Sequence, residues 1–119
     1  MPRVLLVAKD WKFRTLLRAH LREEGLEVNA LADAREALNG LTTLADLPKL
    51  LVADLTGSAH PSAEADLLAR WTSILPIWLI VSRTLTLERV LEGLGFNRVI
   101  YRPVDVGRLA REIKEWAES

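Results

Sequence analysis

Cysteine is absent from the chain, methionine and tyrosine occur once each, and neither sign of charge prevails, with 16 Lys and Arg against 16 Asp and Glu. Without a thiol there is no disulfide framework, no thiolate zinc site and no iron–sulfur cluster, and a reducing compartment poses no difficulty. Without excess charge there is no global attraction to nucleic acid or to an acidic membrane, so polyanion binding would need a local patch. No apolar run approaches the ~20 residues that span a bilayer. Met1-Pro2-Arg3 leads straight into an apolar stretch, with no signal-peptide layout. A hydrophobic fraction of 50% lies outside the range of disordered chains. At 119 residues the expectation is one domain, 1–119, with a single core. A domain of that size buries roughly two-thirds of its unfolded surface without staples. The composition therefore points to a soluble, cytoplasmic, single-core protein.

What is present is an alternation of short apolar runs with stretches of helical period. Arg3 to Ala8, Leu50 to Ala53 and Pro76 to Val81 are rich in Val, Ile and Leu throughout, as strands covered on both faces are. Leu26 to Leu31 alternates more weakly and reads as an edge strand, and Val99-Ile100-Tyr101 reads as a fifth strand. Between them, Phe13, Leu16, Leu17 and Leu21 repeat at three and four, with Gly25 placed to end the helix. Asp33 to Glu36 resembles a capping box, followed by Ala37, Leu38 and Leu41. Pro61 suits the first turn of a helix carrying Leu67, Leu68, Trp71 and Ile74. Leu87, Val90, Leu91 and Leu94 indicate a fourth helix, and Asp105 can cap a last one with Leu109, Ala110, Ile113 and Trp116 inward.

Strand-then-helix repeats with doubly buried strands imply a parallel sheet between helix layers, joined by right-handed crossovers. In such folds the functional crevice lies beyond the carboxyl ends of the strands. There the chain places Ala8 to Asp10, Asp54 to Thr56, Val81 to Arg83, and Arg102. Asp54 directly follows four apolar residues, and Lys9 and Arg102 are two cations able to converge on it.

In order and spacing these residues resemble a response-regulator receiver domain, and the resemblance covers the whole chain. It implies a flavodoxin-like (βα)5 three-layer sandwich with strand order 2-1-3-4-5. Asp54 falls on the family's phospho-accepting aspartate, Arg102-Pro103 on its Lys-Pro pair, and Gly95 on the glycine before its fifth strand. The departures are as telling. Receivers end the first strand with two acids that hold Mg²⁺, where this chain has Ala8 and Lys9; Asp10 comes one residue later. Counting from Pro76 puts Val81 at the switch Thr/Ser position, while Ser82 has the matching chemistry one residue on. The aromatic switch position reads Val99, with Tyr101 two residues away.

Mg²⁺ takes octahedral oxygen ligands, usually including one or two carboxylates. A lysine in place of an acid removes a ligand and adds a charge that repels the ion. At about 4 Å and an effective dielectric near 20, each unit-charge pair costs roughly 4 kcal/mol, doubled for a divalent ion. The expectation is that Lys9 pairs with Asp54, that Arg102 adds a second cation, and that no cofactor is used. The result would be an atypical receiver, a pseudo-receiver without the phospho-switch, and not an enzyme. Two alternatives stand beside it: a working phospho-acceptor in which Asp10 and Asp54 hold Mg²⁺, and a small flavodoxin-like ligand binder or enzyme.

The remaining features carry blander readings. His20 and His60 have no second ligand at metal spacing. Gly93-Leu94-Gly95 is a helix end, because no glycine-rich turn follows the first strand. Arg108 and Arg111 are interleaved with Glu112 and Glu115, as on a solvated helix face. Trp71, Trp78 and Trp116 suit the core, with a partner surface as the sharper reading for Trp116 and for Trp71. By resemblance, Leu87, Leu91, Tyr101, Arg108 and Arg111 mark the face that would meet other signalling proteins or a second copy. No direct nucleic-acid, membrane or small-molecule substrate contact is expected.

Overall fold

The computed structural model describes residues 2–41, 47–83, 91 and 93–119. Its strands are β1 (Arg3–Ala8), β2 (Glu27–Leu31), β3 (Leu50–Asp54), β4 (Ile77–Val81) and β5 (Arg98–Tyr101). Helices α1 (Trp11–Glu23), α2 (Ala34–Asn39) and α3 (Pro61–Ala69) follow the first three strands, and α4 (Val106–Glu118) closes the chain. All five strands lie in one parallel sheet in the order β2-β1-β3-β4-β5, as expected.

Strand alternation divides the apolar residues between two cores. On one face Val4, Leu6, Leu50, Val52, Trp78 and Ile80 meet α1 and α4. On the other Leu5, Val7, Leu51, Ala53, Leu79 and Val81 meet α2, α3 and Leu91. The central strands β3 and β4 are buried at every position, which is why their runs read as continuously apolar. The expected fourth helix lies mostly outside the described residues, Leu87 and Val90 among them. Among the described residues no helix is long and apolar enough to cross a membrane.

Helix ends follow local chemistry. Asp10 caps α1 by accepting from the Lys12 and Phe13 N–H groups, and Asp105 caps α4 through the Arg108 N–H. At the other end of α1, Gly25 takes φ +86°; its N–H reaches the Arg22 carbonyl and the Leu26 N–H reaches that of Leu21. These two bonds form a Schellman motif, which needs a residue at ease in the left-handed region.

Two helical stripes differ from expectation. The buried line of α1 is Phe13, Leu17 and Leu21, so Leu16, one residue out of phase, is 50% exposed. Helix α3 stops at Ala69, where the Thr72 hydroxyl donates to the Ala69 carbonyl. The chain continues in tight turns that shift the phase, burying Leu75 and leaving Ile74 in solvent. Trp116 is only partly inward; its ring meets the edge of buried Trp78 with centroids 5.8 Å apart.

Candidate functional site

The sheet register sets Ala8, Asp54 and Ile80 side by side, with Val81 opposite Tyr101 on the outer pair. Asp54 thus ends the central strand between two apolar neighbours. It is the buried charged residue among those described, and its side chain is wholly enclosed. A carboxylate there is tolerated only if paired and hydrogen-bonded. Both conditions hold. One oxygen, Oδ1, accepts the Thr56 N–H at 2.9 Å, and the other, Oδ2, accepts Nη2 of Arg102.

Arg102 is held for this task by two contacts. Its backbone N–H donates to the Val81 carbonyl at 3.0 Å, continuing the β4–β5 ladder by one step. Its guanidinium lies over the Phe13 ring of α1, 4.4 Å from the centroid. Pro103 follows through a cis peptide. A planar, weakly hydrated guanidinium suits a stacked and partly buried position in a way an ammonium does not. Its Nε and the Thr56 hydroxyl oxygen are buried and have no hydrogen-bond partner.

The expected Lys9–Asp54 pair does not form. The Lys9 ammonium lies 3.7 Å from Asp33, in the loop beyond the end of β2, and both side chains are substantially exposed. Strand β1 lies between β2 and β3, so the residue after it can lean toward either neighbour. The oxygens of Asp54 are already engaged below the surface, whereas Asp33 stands at the mouth, where an ammonium keeps its hydration. The Arg35 backbone N–H, with a smaller contribution from Lys9, holds the Asp33 carboxyl below its ordinary value of 3.8. Gly57 turns the chain beside Lys9 with φ +84°, closing the short turn in which Ser58 N–H meets the Leu55 carbonyl.

Asp10 does not face Asp54 either, because its carboxylate is committed to the first turn of α1. Val81 is buried in the second core, while Ser82, one residue past β4, is exposed. Of the residues expected on a partner face, Leu91 is buried and belongs to the core, so it is withdrawn from that surface. Tyr101 is half-buried under the Arg83 guanidinium, and Arg108 and Arg111 are exposed, Arg108 pairing with Glu112. Leu87 lies outside the described residues.

Thr56 lies within the strand-end set the sequence indicates, whereas two contributors escaped it: Arg14 and Asp33. Arg14 sits in the first turn of α1, and its guanidinium donates to the carbonyl of Ala8, opposite Asp54 in register. The signal available for Arg14 in the sequence is its place one turn after a strand end. Asp33 was legible as a helix cap but not as an anion facing Lys9.

Among the described residues the strand ends do not present the set of oxygen ligands that Mg²⁺ takes. One enclosed carboxylate has both oxygens engaged, a guanidinium sits on it, and the residues before α1 supply Ala8, a turned-away Lys9 and a capping Asp10. Among the described residues no three His, Cys, Asp or Glu side chains cluster so as to hold a metal.

Against solved structures, the chain aligns over 99% of its length with a receiver domain protein from Methanospirillum hungatei JF-1, covering 94% of that chain at 20% identity and TM-score 0.81. This is the receiver fold. The non-phosphorylated HemR receiver domain of Leptospira biflexa aligns over the whole chain and 96% of its own at 21% identity and TM-score 0.77. The BeF3-activated DrrB receiver domain aligns over the whole chain and 99% of its own at 12% identity and TM-score 0.76. No protein-family model matches the chain, and no curated protein matches it in sequence.

Proposed function

We propose that this chain is a signalling module of the receiver type that works through protein–protein contacts with its aspartyl switch locked. One observation carries the reading: the only enclosed carboxylate among the described residues is already engaged on both oxygens, by Arg102 and by the Thr56 N–H. Phosphoryl transfer to a carboxylate relies on neutralising charge between two anions, normally through a divalent ion. Here the neutralising charge is a fixed guanidinium from β5's end. An incoming divalent ion would meet it with a repulsion of roughly 8 kcal/mol at 4 Å and an effective dielectric near 20. The amendment to the sequence reading is the identity of the lock, Arg102 in place of Lys9.

The test combines a small phosphodonor with Mg²⁺, followed by intact mass, and a titration with Mg²⁺ and beryllofluoride followed through Trp11. That indole is 62% exposed in the first turn of α1, two residues after Lys9. Unchanged mass and flat emission are expected. A phosphoryl adduct, or saturable quenching that Asp54→Asn abolishes, would show a working phospho-acceptor.

A further inference from the structure

A cavity lies away from the strand ends, along the outer edge of β2. Its volume is about 500 Å³, within the range of small-molecule sites. Three arginines line it: Arg3 from β1, and Arg18 and Arg22 from α1. Among the described residues none of the three is in an ion pair, and no acidic side chain lines the cavity. Arg18 and Arg22 are one helical turn apart, where like charges repel and destabilise the helix. The Nε of Arg18 is moreover buried without a hydrogen-bond partner. A buried, unpaired donor on a guanidinium is costly, and an anion would relieve both penalties.

The rest of the wall is of two kinds. Because the Glu27 N–H faces β1, bonding to the Pro2 carbonyl, strand alternation turns the backbone groups of Val28 and Ala30 outward. Strand β2 is the sheet edge, so those groups have no strand neighbour. Apolar surface comes from Leu5, Leu31 and Leu41. Cationic forks, an open row of backbone donors and acceptors, and apolar walls form one recess.

We propose that this recess binds a phosphorylated heterocycle of the mononucleotide class. The guanidinium pair of α1 would take the phosphate through charge-assisted forks. The edge of β2 would read the heterocycle's polar rim, with its faces against the leucines. The sequence expectation of no small-molecule contact looked only to the strand ends, whereas this site lies at the side of the sheet. It does not rest on the locked-switch reading.

The experiment is an amide NMR titration of the full chain with adenosine 5′-monophosphate, with inorganic phosphate and adenosine run separately. Saturable shifts at Val28 to Leu31 are expected in the millimolar range or below. The nucleotide should bind at least tenfold more tightly than either half alone, since each half supplies only part of the contacts. Arg22→Gln, an exposed substitution with little effect on folding, should weaken binding by roughly tenfold, and Arg18→Gln/Arg22→Gln should abolish it. No shift at millimolar nucleotide, shifts elsewhere, equal binding of inorganic phosphate or adenosine, or binding indifferent to Arg22→Gln would each overturn the proposal.

Discussion

Replacing Arg102 by alanine tests the central claim about Asp54. The carboxylate is fully enclosed and Arg102 is 27% exposed, so the substitution leaves an anion in the sheet's end with only the Thr56 N–H against it. Breaking a buried pair from one side costs about 3–5 kcal/mol, and water reaching the vacated place puts the expectation at the low end, about 3 kcal/mol. For a domain of this size that corresponds to roughly 4 °C per kcal/mol, or ~12 °C in Tm. Loss of the stack on Phe13 acts in the same direction. The assay is urea unfolding with Tm as a cross-check. The double variant Asp54→Asn/Arg102→Ala discriminates between causes, because removing the charge with its partner should recover stability relative to Arg102→Ala alone. A cost for Arg102→Ala below ~1 kcal/mol would refute the reasoning. So would a double variant no more stable than the single one, because the loss would then be packing and not an orphaned charge.

Other outcomes follow from named contacts. Gly25 and Gly95 both hold positive φ, but a Cβ at Gly25 meets nothing within 4 Å whereas one at Gly95 falls 2.8 Å from Thr72 Oγ1. Gly25→Ala should therefore cost about 1 kcal/mol for conformation alone, and Gly95→Ala more; equal urea midpoints would contradict the crowding. Asp10→Ala should cost about 1 kcal/mol as a lost cap while Asp10→Asn costs little, and neither should change the response to Mg²⁺ in the Trp11 titration. The depressed Asp33 carboxyl contributes stability above pH 3.8 that is lost as pH falls through its lower folded value. Carboxyl NMR should show Lys9→Met raising that midpoint only in part, since the Arg35 N–H is the larger cause; full return to the ordinary value would make Lys9 the main cause.

The sequence by itself determined the layers, the strand order through the receiver resemblance, the helix caps Asp33 and Asp105, and Asp54 at a strand end. Doubly buried strands must be apolar at every position, helices facing a sheet must repeat at three and four, and caps are local, so each leaves its mark in neighbouring letters. That is why β3, β4, the Asp105 cap and the placement of Asp54 at a strand end were all readable. The tertiary structure decided which cation Asp54 keeps. Lys9 and Arg102 are equivalent as charges at strand ends, and only packing against Phe13 and the carbonyl of Val81 gives Arg102 the enclosed place while Asp33 draws Lys9 to the mouth. It also decided that Leu16 and Ile74 face water, because helix phase and helix end depend on neighbours that a periodicity count does not contain. Pairings across 48 residues, such as Arg102 with Asp54, depend on how a sheet brings strand ends together, and no local spacing records that geometry.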